Sequence, residues 1–196
     1  AGTVPAELHK LWRTAKPGGY HVEYGYSCMG YEIAGALGVK LARSEAEVIA
    51  LLGDGSYLML NSEIATSVML GLKLIVVVLD NRGYGCIQRL QIASGSPRFN
   101  NLLEDCGAPV AIDFAAHAAS LGATAVHVKS VDELKRAMRA ARAATKTQVI
   151  VIDTTPWRTT DDGGAWWEVA IPEVSSRAEV RAARGQYESA KKGQRR

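Results

Sequence analysis

The chain has 196 residues, 47% of them hydrophobic and 22% charged, with a net charge of +3. That is the profile of one globular domain with a proper core. The longest purely aliphatic run, residues 74–79, is far too short to span a bilayer, and the first twenty residues hold no apolar stretch of the secretory kind, so neither a membrane span nor a signal peptide is expected. The N-terminus lacks an initiator Met and reads as a cut or processed end, which suggests a piece of something longer. Charge is uneven: residues 177–196 carry seven Arg or Lys against two Glu, a tail of +5 on a remainder of −2. With no aromatic interleaving it reads as a solvated helix, the alternative being contact with nucleic acid or an acidic partner. Three cysteines, Cys28, Cys86 and Cys106, are an odd number without CxxC spacing. They predict a reducing, cytoplasmic setting rather than a disulfide framework or a zinc site.

Residues 1–20, with Pro5, Pro17 and Gly18-Gly19, read as irregular. Residues 30–42 have helical spacing, and "EVIALLG" is a short buried strand ending in glycine. "NSEIATSVMLG" reads as a helix with Asn61 as N-cap, Glu63 in its first turn and Gly71 at its exit. "KLIVVVLD" is a continuous apolar strand of the kind buried on both faces of a parallel sheet. "DFAAHAASLG" predicts a helix, "ATAVHVK" a strand, "SVDELKRAMRAARAA" a helix opened by a Ser130/Glu133 capping box, and "TQVIVIDT" a strand. Strand–helix alternation predicts an α/β fold: a three-layer open parallel sheet with helices on both faces. The expected domain is residues 1–175, loop-like and Trp-rich after Thr155, followed by a helical tail over 176–196.

Two turns stand out. Gly53-Asp54-Gly55 follows one strand and Asp80-Asn81-Arg82-Gly83 follows the next, 27 residues on, about one βαβ unit. Both fall at carboxyl ends of parallel strands, where open α/β sheets bind ligands. A dinucleotide loop needs G-x-G-x-x-G; "GDGSYL" lacks the third glycine, and its carboxylate would repel a bare diphosphate. A carboxylate and an amide are oxygen ligands suited to Mg²⁺ shared with substrate phosphates. The loop therefore reads as a metal-bridged diphosphate site, with Asp54 as a mere helix cap the competing reading.

The stretch "GDGSYLMLNSEI…LDNRGYG" resembles the cofactor motif of thiamine diphosphate (ThDP)-dependent enzymes, in which GDG is followed after about 25 residues by Asn-Asn. The first Asn of that pair is Asp80 here; the second, the family's ligand, is present as Asn81. The resemblance implies Mg²⁺ held by the Asp54 carboxylate, the Asn81 amide oxygen and the Gly83 carbonyl, beside Gly53, with Gly55 and Ser56 donating to the diphosphate. Upstream, "YGYSCMGYEIAGALGVKLA" is similar to the family's second cofactor segment. There Met29 would prop the cofactor in its bent shape, and backbone around Ser27, Cys28 and Met29 would meet the aminopyrimidine. Met29 as plain core is the alternative.

Four stretches, "HVEYGYSCMGYEIAGALGVKLA", "LLGDGSYLMLNSEIATSVMLGLKLIVVVLDNRGYGCIQRLQ", "IDFAAHAASLGA" and "GGAWWEVAIPEVSSR", are most similar to the family's branch in myo-inositol catabolism. That branch opens a trihydroxycyclohexane-1,2-dione by hydrolysis to 5-deoxyglucuronate. The resemblance implies a homo-oligomeric cytoplasmic enzyme with ThDP and Mg²⁺ as cofactors, a small cyclic diketone as substrate, and neither nucleic acid nor membrane as partner. The catalytic residues are not legible. The activating glutamate is expected in a pyrimidine-binding domain, of the same or a neighbouring chain, that these 196 residues do not hold, so this chain alone is expected to be inactive. Another ThDP lyase or carboligase, or a non-catalytic cofactor-binding fragment, are the other readings. His21 is a candidate for the pocket, against a structural role; His117 reads as core, and His9 and His127 carry no signal. Cys28 and Cys86 flank the presumed site and read as inert buried thiols, a nucleophile being the alternative, and Trp166-Trp167 read as a lid or as packing or a subunit interface.

Overall fold

Continuous apolar runs build the sheet. In the computed structural model, which describes residues 1–108, 110–160 and 168–194, four strands pair in parallel: β1 (Ile49–Gly53), β2 (Ile75–Asp80), β3 (Thr124–Val128) and β4 (Gln148–Asp153), in the spatial order β1-β2-β4-β3. Alternate residues face opposite layers. Leu52, Val76, Val78, Val149 and Val151 pack on Ile33, Leu37, Tyr57, Ile64 and Phe114 on one face. Ile75, Val77 and Ile150 pack with Val128, Ala141, Leu134 and Met138 on the other. Each fully buried Val, Ile or Leu contributes roughly 1.5–3 kcal/mol, so the central strands anchor everything hung from their ends.

The helices are α1 (Thr3–Leu11), α2 (Tyr31–Ala42), α3 (Asp54–Met59), α4 (Glu63–Met69), α5 (Gly85–Ala93), α6 (Phe114–Ser120), α7 (Val131–Ala143) and α8 (Ala178–Lys192). The expected three-layer α/β sandwich is present. Ser130 Oγ caps α7 by accepting from Glu133 N–H, but the Glu133 carboxylate reaches one residue past the cap, to Lys129 N–H at 2.7 Å.

Several local expectations are corrected. Residues 3–11 are helical: Pro5 sits in the first turn, where its missing N–H costs nothing. Asn61 does not cap α4, which starts after Ser62 with no side-chain cap; its amide instead donates to Tyr57 O. The Gly53-Asp54-Gly55 loop is already helix from Asp54, where α3 begins, and a helix follows Tyr84 where none was read. The tail helix α8 docks on the end of α5 at Gly95, whose φ is +78° and whose Cα lies so close to the Glu179 backbone that an added Cβ would stand 2.5 Å from it. Among the described residues no helix is long and apolar enough to cross a membrane.

Candidate functional site

Adjacent, in-register pairing of β1 and β2 sets Gly53 beside Leu79, so the chain turns after Gly53 and after Asp80 side by side. Asp54 is the first residue of α3 and is 4% exposed. Gly83 N–H donates to its Oδ2 at 2.6 Å. The Asn81 amide group, also buried, stands 3.2 Å from Asp54 Oδ1 and 2.6 Å from the Gly83 carbonyl oxygen. With its nitrogen turned inward the amide donates to both oxygens; with its oxygen inward, three oxygens meet. Oxygens sharing one small octahedral cation stand about 3 Å apart.

The Asp80–Gly85 turn is built to hold that geometry. Arg82 N–H donates to Asp80 Oδ1 at 2.8 Å, and Arg82 takes a left-handed φ of +63°. Asp80 thus closes the turn with an oxygen that Asn also has, which explains why the departure from Asn-Asn leaves the turn intact. Gly83, at φ +138°, is pressed on the chain at Asn101, whose carbonyl an added Cβ would approach to 2.3 Å. Tyr84 N–H to Asn101 O and Leu103 N–H to Arg82 O fasten both sides.

Burial pushes the Asp54 carboxyl up to about 6, and the Asp80 charge adds to the rise; backbone N–H groups of Gly83, Asn81 and Gly55 oppose it. A carboxylate held at such cost is one that a cation would relieve.

These residues line a cavity of about 270 Å³ that also takes in Met29, Tyr84, Cys86 and the Thr154, Thr155 and Arg158 side of the loop after β4. Gly55 has no room for a side chain: a Cβ would stand 2.7 Å from the Tyr84 ring and 3.2 Å from the Met29 methyl. Met29 therefore reaches the cavity, with Gly53, Asp54, Gly55, Ser56, Asn81 and Gly83. Ser56 is buried and its hydroxyl donates to Glu32 at 3.1 Å, so its donor is already committed. Ser27 and Cys28 do not join this cavity. Glu23 accepts from Tyr26 N–H and Cys28 N–H at 2.9 and 2.7 Å and folds that loop outward, with Ser27 at φ +52° and both residues exposed.

The remaining candidates fall elsewhere. His21 bonds Tyr31 at 2.8 Å and lines a different cavity, about 350 Å³, beside β1, together with Cys28. None of the Asp54, Asn81 and Gly83 set lines that larger cavity. His117 is half-buried and shares a 2.8 Å bond with the Tyr57 hydroxyl; His9 bonds Pro5 O; His127 pairs with Asp153 at 2.9 Å on the surface. All three thiols are free; Cys28 is exposed rather than buried, and burial pushes Cys86 up. Trp166 and Trp167 lie outside the described residues. Reading by residue type missed Tyr84, Arg158 and the cavity wall supplied by Val4, Leu8 and Leu11 of α1. The spacing of those three apolar residues was the available signal.

The family model described as thiamine pyrophosphate enzyme, C-terminal TPP binding domain, matches residues 1–154. The chain is 44% identical over 197 aligned residues to 3D-(3,5/4)-trihydroxycyclohexane-1,2-dione hydrolase 2 of Bacillus cereus, and equally to the 3D-(3,5/4)-trihydroxycyclohexane-1,2-dione hydrolase of Bacillus anthracis. Each match covers 96% of this chain, which spans 30% of the length of either relative. In three dimensions it is similar to the thiamine diphosphate-dependent 4-hydroxybenzoylformate decarboxylase of Rhodococcus jostii RHA1, with a TM-score of 0.59 and 23% identity, covering 65% of this chain and 23% of the other. At that identity the likeness shows the fold alone.

Proposed function

The chain belongs to the thiamine pyrophosphate enzyme family, as its C-terminal TPP-binding domain, and we propose that it forms the metal-and-diphosphate half of the cofactor site in a longer hydrolase. One observation carries this reading: the Asn81 amide stands 3.2 Å from Asp54 Oδ1 and 2.6 Å from the Gly83 carbonyl oxygen. The donor set fits magnesium, which prefers small all-oxygen shells completed by substrate phosphate and water. Asp54 would supply charge, Asn81 its amide oxygen and Gly83 its carbonyl, while Gly83 N–H keeps the second carboxylate oxygen in place.

Bound there, thiamine diphosphate supplies an electron sink next to a carbonyl carbon. The chain's own part is to bind and orient. Gly55 lets the Tyr84 ring and the Met29 methyl close over the start of α3, Ser56 offers its backbone N–H, and Met29 forms one wall against the thiazolium. The apolar α1 wall, with Val4 and Leu8, excludes water from the metal end. The acid that activates the aminopyrimidine would come from a second domain, of the same or a neighbouring chain in a homo-oligomer.

The substrate we assign is 3D-(3,5/4)-trihydroxycyclohexane-1,2-dione, in myo-inositol catabolism in the cytoplasm. What supports it is 44% identity with hydrolases of that name. Water adds across the bond between the two carbonyl carbons, which breaks to give one carboxylate and one aldehyde, the open-chain 5-deoxyglucuronate. Assay of the full-length enzyme with the diketone and, separately, with pyruvate tests the assignment. Ring opening with one acid formed per diketone consumed is expected; carboligation of pyruvate without ring opening would overturn it.

A further inference from the structure

We propose that Arg158 is an anion-binding side chain of the same cavity and that it takes the terminal phosphate of the cofactor's diphosphate, an inference that rests on the metal-site reading above. The loop after β4 is pinned on all sides. Thr154 N–H donates to Asp80 O at 2.7 Å. Arg89 donates to the Pro156 carbonyl and, at 3.1 Å, to Thr3 Oγ1. The Arg98 guanidinium stands 5.1 Å over the Trp157 ring. Thr160 N–H donates to Glu7 at 2.9 Å. Amid these ties, the exposed Arg158 guanidinium has no hydrogen bond or ion pair among the described residues, yet it lines the cavity that Asp54, Asn81 and Gly83 line.

Charge and shape fit the assignment. Among the described residues the cavity's carboxylates are Asp54 and Glu7, and Glu7 is already engaged with Thr160 and, at 3.7 Å, Lys10. A diphosphate ester carries more negative charge than one divalent cation offsets, and Asp54 adds another. Among the described residues Arg158 is the cationic side chain lining the cavity that can balance the excess, and a guanidinium fork matches phosphate oxygens two at a time. A backbone already fixed by its neighbours loses little freedom when the side chain engages.

Calorimetry on the full-length enzyme with Mg²⁺ tests this, using wild type, Arg158→Ala, Arg158→Lys and Asp54→Ala against ThDP and thiamine monophosphate. Arg158→Ala is expected to weaken ThDP by about ten- to a hundred-fold, the range of a hydrogen bond to a charged group, with Arg158→Lys recovering part of the loss. Monophosphate affinity is expected to be the same in wild type and Arg158→Ala. Wild-type ThDP affinity in Arg158→Ala, while Asp54→Ala fails to bind, overturns the Arg158 assignment and leaves the metal site standing. An equal loss for both ligands, or a defect confined to diketone KM, also overturns it. Undiminished ThDP binding by Asp54→Ala would instead remove the metal site on which the inference rests.

Discussion

Gly83 N–H donates to the Asp54 carboxylate at 2.6 Å across 29 residues of chain. This bond joins the turn after β1 to the turn after β2. It leaves the other carboxylate oxygen facing the Asn81 amide, so the two turns form one rigid cradle.

Removing the carboxylate tests the cradle's charge. Asp54→Ala is expected to weaken Mg²⁺-dependent ThDP binding by at least about 100-fold, beyond what loss of a supporting residue costs, with the circular dichroism spectrum unchanged. Retained affinity would reduce Asp54 to the structural role of tying Gly83 in place.

The raised Asp54 carboxyl gives a pH signature. Its folded value of about 6 lies above its ordinary 3.8, so between those two values the folded metal-free protein binds more protons than the unfolded one. Stability should therefore fall as pH rises from about 4 to about 6, by up to roughly 3 kcal/mol. Asp54→Asn should flatten that part of the profile in denaturant titrations. Because proton and cation compete for the same oxygen, Mg²⁺ affinity should drop as pH falls through about 6.

Gly83→Ala is expected to be damaging out of proportion to one methyl group. A Cβ would stand 2.3 Å from the Asn101 carbonyl at a φ of +138°, so either the turn or the facing chain must move. A loss of roughly 1–3 kcal/mol should accompany a clear loss of metal affinity. Both are readable from thermal melts with and without Mg²⁺ and ThDP.

Gly95→Ala should act at a distance from the cradle. An added Cβ would stand 2.5 Å from the Glu179 backbone, which is expected to lift α8. Hydrogen exchange should speed up across residues 178–192 while ThDP affinity holds; unchanged protection there would contradict the docking.

The 196-residue chain by itself should bind ThDP weakly and turn over no diketone. In the proposed site the residues converging in its cavity would hold the metal and diphosphate end alone, and a positioned acid or base contributes about 10²–10⁴-fold to catalysis. Production of 5-deoxyglucuronate by the purified chain, with longer enzyme excluded, would show that the catalytic machinery lies within it.

Much of this was readable from residue types alone, for physical reasons. The runs Ile75–Asp80 and Gln148–Asp153 are too continuously apolar to be anything but interior strands, and a turn rich in oxygen at the end of each of two neighbouring strands must face its twin. What remained hidden depended on the chain's return. Nothing in "PWR" says that the loop after β4 folds back against α1 and α5, and nothing in "YSC" says that Glu23 will draw the Tyr26 and Cys28 N–H groups outward. Helix α1 was masked by Pro5, a breaker in a helix interior but harmless in a first turn. Tyr84 could be matched to Gly55 only once both turns were in place.

The proposed site has a single cation position, and anomalous diffraction from full-length crystals grown with Mn²⁺ and ThDP measures it directly. A peak about 2.1–2.2 Å from Asp54 Oδ1, Asn81 Oδ1 and Gly83 O is the predicted result. A peak bound elsewhere, or an Asn81 amide nitrogen still donating to Asp54 and Gly83 with ThDP in place, would contradict it.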